Sequence, residues 1–410
     1  MKMTKKVLFS ITLLLNLCFF LVSCSTDHEP ETVSKTSVKI NLETPINIQV
    51  KELTNTVVLL TNKQTKEVYS IKDFSKTEKG YTAELKEIPV GSYSVKASGK
   101  LTYEANGKEA FMEVNSVNEN VEIAGNSANE ISLLLNGYTG KEGFVISEIF
   151  FRGTQTKAGK PYFADQYIKI ANNTDKVMYA DSLVIMESIY TNGNKHEYIK
   201  DYRNEGFAAQ AIYMIPGNGK DVPVKPGETL LLALNAKNHK AVNPNSFDLS
   251  NANFEFYDVS TNTYKDEQND NVKDLERLFT YSASILMLNM SGVKAYAIAK
   301  IQGSKDDFLK NYKYAAQYHN EFNGKLMTQQ AYFVPSLWVI DAVNVDMKDN
   351  PHDWNIIPVS MDSGYTYCND NKKDKSGIGT AVVRKKKNGK YVDTNNSTED
   401  FIPKATPTVK

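Results

Sequence analysis

Gly143-Phe144-Val145-Ile146-Ser147-Glu148-Ile149-Phe150-Phe151 is the stretch on which the fold turns, together with Asp165-Gln166-Tyr167-Ile168-Lys169-Ile170-Ala171-Asn172-Asn173-Thr174-Asp175. Both are short runs of β-branched and aromatic residues, the types that strands favour. The second ends in an Asn-rich turn. A third run, Tyr179-Ala180-Asp181-Ser182-Leu183-Val184-Ile185, follows at once. The order is strand, insert, strand, turn, strand, which is the grammar of a β-sandwich.

Working outward toward the C-terminus, Val224-Lys225-Pro226-Gly227-Glu228-Thr229-Leu230-Leu231-Leu232-Ala233 is a Pro-Gly turn opening an apolar strand. Residues 377–384 supply another strand. Asp393-Thr394-Asn395-Asn396-Ser397-Thr398-Glu399-Asp400-Phe401 closes the series. These motifs, in this order, resemble the lamin-tail domain, an immunoglobulin-like β-sandwich. The segments at about 190–221 and 253–335 exceed a minimal domain of that kind and read as inserts. One insert holds a short helix. Ser304 caps it, with Asp307 three residues on as a shortened capping box. Phe308, Tyr312 and Ala315 recur at helical spacing, and Ala316 extends that face.

Toward the N-terminus, a glycine-containing link over 136–140 precedes Gly143. Before it lie short strands with turn signals every 8–12 residues, which again predict a sandwich. Ser37-Val38-Lys39-Ile40-Asn41-Leu42 alternates polar and apolar. Pro89-Val90-Gly91-Ser92-Tyr93-Ser94-Val95 breaks the chain and then places Tyr93, Val95 and Ala97 on one face. That segment resembles transthyretin-like or carboxypeptidase-regulatory-like domains. The fold class expected is therefore mostly β: two immunoglobulin-like β-sandwiches in tandem, over 35–136 and 143–410.

Residues 1–23 read as a signal peptide. Lys2, Lys5 and Lys6 precede an apolar run from Val7 to Val22, too short and too early for a spanning helix. The run ends in Leu21-Val22-Ser23-Cys24, which resembles a bacterial lipobox. The resemblance implies cleavage before Cys24 and its acylation. Residues 24–34 are polar and acidic and read as a tether. They are similar to the stretches behind the lipid cysteine in surface-exported Bacteroidetes lipoproteins. With this N-terminus the whole chain is identified as a member of an uncharacterised Bacteroidetes lipoprotein family, domain of unknown function 4876. That resemblance implies architecture and an outer-membrane, cell-surface location, and no reaction.

Composition removes several function classes. Of 410 residues 41% are hydrophobic and 23% charged, as in folded protein. Lys plus Arg and Asp plus Glu both number 48, so the chain carries no basic footprint for nucleic acid. Loss of three lysines with residues 1–23 makes the mature chain mildly acidic. The three cysteines build neither a disulfide scaffold nor a cysteine zinc cage. His28, His196, His239, His319 and His352 form no His-x-x-x-His pair. Asp266, Asp270 and Asp274 have EF-hand spacing, but Asn271 stands where the turn glycine belongs and Arg277 where the bidentate acid belongs. No Gly-x-Ser-x-Gly elbow marks a nucleophile. Gly217-Asn218-Gly219-Lys220 lacks the spacing of a phosphate loop, and Asp349 to Trp354 reads as a surface turn. The run Arg384-Lys385-Lys386-Lys387 is basic, and Asn388-Gly389 predicts a tight hairpin with the lysines at its tip; the alternative is a patch for anionic glycan or lipopolysaccharide. No cofactor and no metal is expected.

Tyrosine stands out: 23 residues against 18 Phe and 2 Trp. Tyr198, Tyr202, Tyr312, Tyr314, Tyr318, Tyr365 and Tyr367 cluster in or beside the inserts. They form the candidate ligand surface, with sandwich packing as the competing explanation. The function expected is a non-enzymatic, surface-exposed outer-membrane lipoprotein. It is held in lipid through Cys24 and captures a ligand for a TonB-dependent receptor. An adhesin or structural surface protein is the alternative, and an extracellular hydrolase a third.

Overall fold

The computed structural model of the protein describes residues 34–44, 49–105, 108–125, 128–138, 143–203, 205–262, 267–282 and 285–409. The signal segment, Cys24 and nearly all of the tether lie outside the described residues. The fold is mostly β, as the sequence predicts, with sheets throughout and two short α-helices among the described residues.

Two sheets make the N-terminal sandwich. One runs Ser75–Thr77, Gly80–Pro89, Lys35–Glu43, Asn129–Leu134; the other Val68–Ile71, Gln49–Asn62, Gly91–Ala105, Lys108–Ile123, Asn136–Tyr138. Strict alternation sends Val38, Ile40 and Leu42 inward from the first sheet. Tyr93, Val95 and Ala97 meet the same core from the second, as their spacing predicts. Each buried aliphatic or aromatic side chain contributes roughly 1.5–3 kcal/mol. The Ser336–Trp338 helical turn of the C-terminal half brings Leu337 against this core. The two halves therefore meet through an apolar contact as well as through the chain.

The C-terminal half is one sheet bent onto itself. It runs Phe401–Ala405, Ala381–Arg384, Phe144–Phe150, Tyr167–Asn172, Thr229–Ala233, Phe254–Phe256, Lys273–Thr280, Gly206–Met214, Leu183–Ser188, Ala295–Lys300, Val339–Asn344. Phe254–Phe256 is the spine: it pairs in parallel with Thr229–Ala233 on one side and Lys273–Thr280 on the other. Ile146, Ile168 and Leu232 from one layer face Ile185, Tyr213 and Ile298 from the other across a shared core. The opposite side of the sandwich is joined by side chains. Asp341 accepts the Ile146 N–H at 2.6 Å, and Arg384 Nε donates to the Ile146 carbonyl at 2.8 Å. Arg384 Nη2 then grips both Asp341 oxygens at 2.8 and 2.6 Å. Asp393 and Asp400 share the same guanidinium at 3.3 and 3.4 Å. Burial pushes the Asp341 carboxyl up, and the Arg384 guanidinium pulls it back toward the charged form.

The structure corrects two expectations here. The segments expected as inserts contribute strands to the sandwich: Gly206–Met214 lies in the first, and Phe254–Phe256, Lys273–Thr280 and Ala295–Lys300 lie in the second. Gly206–Met214 and Ala295–Lys300 are covered on both faces, so they show no alternation, and they are rich in alanine, which strands disfavour. The helix is also shorter than its spacing predicts. It spans Lys305–Asn311, with Ser304 Oγ accepting the Asp307 N–H at 3.0 Å and donating to its carboxylate at 2.6 Å. Tyr312 ends it, and Lys313–His319 continues as a strand paired with Leu326–Pro335. Period two wins because Tyr314, Ala316 and Tyr318 then share one face, with Ala316 buried in the core. Loss of the cap in Ser304→Ala should cost about 1 kcal/mol in urea titration; no change would show that the tertiary contacts of Phe308 alone fix this turn.

The outer face of the second layer is covered as well. Met186, Ala209, Ile212 and Ala297 pack under Phe308, Ala316, Val334, Ile356 and Ile357. This second core is what presents the tyrosines.

Candidate ligand-binding surface

Four of the seven singled-out tyrosines converge. Tyr190, fully buried, is the floor: its hydroxyl accepts the Tyr202 N–H at 3.0 Å and the Tyr314 hydroxyl at 3.3 Å. Tyr198 lies edge-on to Tyr190 at 4.6 Å and to Tyr318 at 5.4 Å. Tyr202 stacks on Phe333 at 4.2 Å and meets Tyr314 edge-on at 4.8 Å. His196 stacks on Tyr318 at 3.9 Å. The local cause is a strand-like apposition: Tyr198 bridges Tyr318, and Ile199 N–H donates to the Gln317 carbonyl at 2.8 Å. All four rings are half-buried. Burial raises the Tyr198 and Tyr314 phenols well above their ordinary value and lowers His196, which favours the neutral form of all three.

The other three sit apart. Tyr312 packs on Trp338 at 4.9 Å and Phe308 at 5.5 Å, and serves the core. Tyr365 stacks on His352 at 3.7 Å, with Tyr367 beyond it at 6.4 Å.

Arg203, which the sequence did not single out, links these groups. It is fixed by Asp201, its Nε donating at 2.8 and 2.9 Å. Its guanidinium lies over Tyr190 at 6.0 Å and over Trp354 at 5.1 Å. Trp354 in turn borders a cleft of about 530 Å³ at the junction of the two halves. One wall is Glu43, Ser116, Asn118, Asn120 and Ser132 from the N-terminal sandwich; the other is the 352–360 segment. An aromatic face thus leads into a polar cleft. A larger hollow of about 800 Å³ lies by Thr154, Ser246 and Thr408, but these hydroxyls are spent on Asp165 and Glu148.

The remaining candidates have structural partners. The 217–222 loop folds around a carboxylate of its own chain: Gly219, Asp221 and Val222 N–H donate to Asp181 at 3.0, 2.8 and 3.0 Å. Burial pushes the Asp181 carboxyl up, but these amides outweigh it and hold it below its usual range. Asn388-Gly389 makes the predicted tight hairpin, both residues at positive φ, with Lys386 and Lys387 exposed and Lys386 over Tyr391 at 4.3 Å. Arg384, read with that basic run, belongs instead to the buried cluster. His239 is buried between Tyr162 and the Asn235 carbonyl. Cys368 is a buried free thiol, pushed up to about 12 by burial. Asp266 lies outside the described residues, and among those described no group of His, Cys, Asp and Glu is placed to hold a metal ion. No described helix is long and apolar enough to cross a membrane.

Fold and surface together define a tandem β-sandwich protein with an aromatic face beside a junction cleft. Residues 225–408 match the family model described as "Protein of unknown function (DUF4876)". The crystal structure of a DUF4876 family protein from Bacteroides thetaiotaomicron VPI-5482 has a similar fold, with a TM-score of 0.55 at 21% identity. The match covers 91% of this chain and 96% of that one. No curated protein matches.

Proposed function

We propose that this protein is a lipid-anchored, surface-exposed lipoprotein of the outer membrane that binds a ligand without transforming it. On this reading Cys24 carries the acyl chains and residues 24–34 tether the sandwiches to the membrane. The captured ligand is passed to a TonB-dependent receptor. The observation that carries the binding role is the junction cleft bordered by Trp354, at the end of a half-buried tyrosine face. Rings packed on one another lose little entropy when a ligand arrives.

Cys24→Ala should move the protein from the membrane fraction to the soluble fraction, read by fractionation and immunoblot. Retention in the membrane would sink the anchor. For the partner, the detergent-extracted protein should co-purify with a barrel receptor, and deletion should impair growth on one scarce nutrient.

A second reading, adhesion to another surface, is favoured by one feature. Phe322 at the tip of the 313–335 hairpin is 97% exposed, with Leu326, Met327 and Ile199 exposed nearby. Loss of adhesion on deletion, without a growth defect or receptor, would select it.

A further inference from the structure

We propose that the junction cleft binds a neutral oligosaccharide, with Trp354 as the platform for a sugar ring and Asn118, Glu43 and Asp353 engaging its hydroxyls. This rests on the ligand-binding reading above and names the chemical class it implies.

The cleft is about 530 Å³, within the range of roughly 300–1,000 Å³ typical of small-molecule sites. Its walls bring together one large aromatic ring, two carboxylates, three asparagines and three serines, and no Lys or Arg side chain lines it. That mixture excludes an apolar ligand, which would strip water from the carboxylates without replacing its hydrogen bonds. It also disfavours an anion, which would meet Glu43 and Asp353 directly, while the Lys63 ammonium at the edge is engaged by Asn120 Oδ1. A sugar presents an apolar face of C–H groups and an edge of hydroxyls that both donate and accept. Trp354 suits the face, because its indole is large and rigid. The edge finds donors and acceptors on both walls. Asn118 Oδ1 already takes the Asn120 N–H at 3.1 Å, and Asn120 Oδ1 takes the Lys63 ammonium at 2.8 Å. The amide nitrogens are then the donors offered to a ligand. Glu43 and Asp353, both exposed, accept from hydroxyls.

Trp354 is also held in place, as a binding platform must be. Arg203 lies over its ring at 5.1 Å and is itself fixed by Asp201. The next residues anchor the loop, with Ile356 and Ile357 fully buried in the second core. The site needs both halves: the Asn118 and Glu43 wall and the Trp354 wall come from different sandwiches.

The test uses detergent-solubilised full-length protein, so that it stands whether or not Cys24 is the anchor. The probes are cellohexaose, maltohexaose, mannohexaose and xylohexaose, with polygalacturonate and polylysine as acidic and basic competitors. Binding is read by calorimetry and by tryptophan emission. At least one neutral probe should bind at millimolar concentration or below and change the emission. Trp354→Ala should weaken that binding about tenfold or more, Trp354→Phe much less, and Asn118→Ala severalfold. Asn118 is an exposed side chain, so its variant decides the matter should Trp354→Ala lower the melting temperature. The inference is overturned by no neutral probe binding, by unchanged affinity in both alanine variants, or by polygalacturonate or polylysine binding better than every neutral probe. Such a result, with release by Cys24→Ala intact, would remove the sugar and leave the anchored protein standing.

Discussion

Arg384→Met should lower stability by about 3–5 kcal/mol, the loss expected when one partner of a buried ion pair is removed. In a half of this size that corresponds to a fall of roughly 10 °C in melting temperature. Arg384 is 2% exposed, and three carboxylates, Asp341, Asp393 and Asp400, depend on it. Methionine fills much of the volume, so the loss reports charge rather than a cavity. The variant also leaves the Ile146 carbonyl without the Nε–H that it accepts. Arg384→Lys should fall between the two, because an ammonium keeps the charge but lacks the fork that spans Asp341. A methionine variant within about 1 kcal/mol of wild type would show that the layers are held by their apolar core alone.

Lys294→Met is expected to cost a comparable 3 kcal/mol or more. Lys294 Nζ donates to the Ser188 and Ile189 carbonyls at 2.9 and 2.8 Å, and to Gln210 Oε1 at 3.3 Å. The same ammonium offsets the charge of buried Glu187 through space; burial raises that carboxyl, and its hydrogen-bond donors include Gln210 Nε2 at 2.6 Å and the Asn289 N–H at 3.2 Å. Glu187→Gln added to Lys294→Met should recover part of the loss, which a double-mutant cycle measures. The pH dependence has a definite sign. Burial pulls the Lys294 amine down to about 8, from 10.5 in a free lysine. Between those values the unfolded chain holds a proton that the folded protein has released. The contribution of Lys294 to stability therefore rises with pH across that window, and the lead of wild type over Lys294→Met widens. A lead that narrows from pH 8 to 10 would contradict the burial of this amine.

Strands that face one core were legible in the sequence. Val38, Ile40 and Leu42 alternate with polar neighbours, and Tyr93, Val95 and Ala97 do the same. The runs at Phe144–Phe150, Tyr167–Asn172 and Thr229–Ala233 announce themselves by β-branched and aromatic content. Gly206–Met214 and Ala295–Lys300 did not, because a strand packed on both faces has no period and alanine carries no strand signal. The 304–316 segment misled because Phe308, Tyr312 and Ala315 fit a helix while Tyr314, Ala316 and Tyr318 fit a strand; pairing with Leu326–Pro335 decides between them. Tyrosine excess pointed to the aromatic face, and four of its seven residues meet there. The cleft was beyond sequence reading. Glu43 and Asn118 stand more than two hundred residues from Trp354, and only the docking of the two halves brings them to one site. Arg203 was equally invisible, since its role comes from lying between Tyr190 and Trp354.

The loop at 217–222 carries a broader lesson about ligand loops. Its amides are arranged around an oxygen-bearing group, as in a loop that waits for a free anion, yet the guest is Asp181, delivered by the chain itself. A tethered guest has an effective concentration set by geometry and not by the medium. Phosphate or sulfate in solution therefore competes poorly for these amides. The loop stays shut as the ionic strength of the medium changes, and its glycines hold structure where their composition suggests exchange.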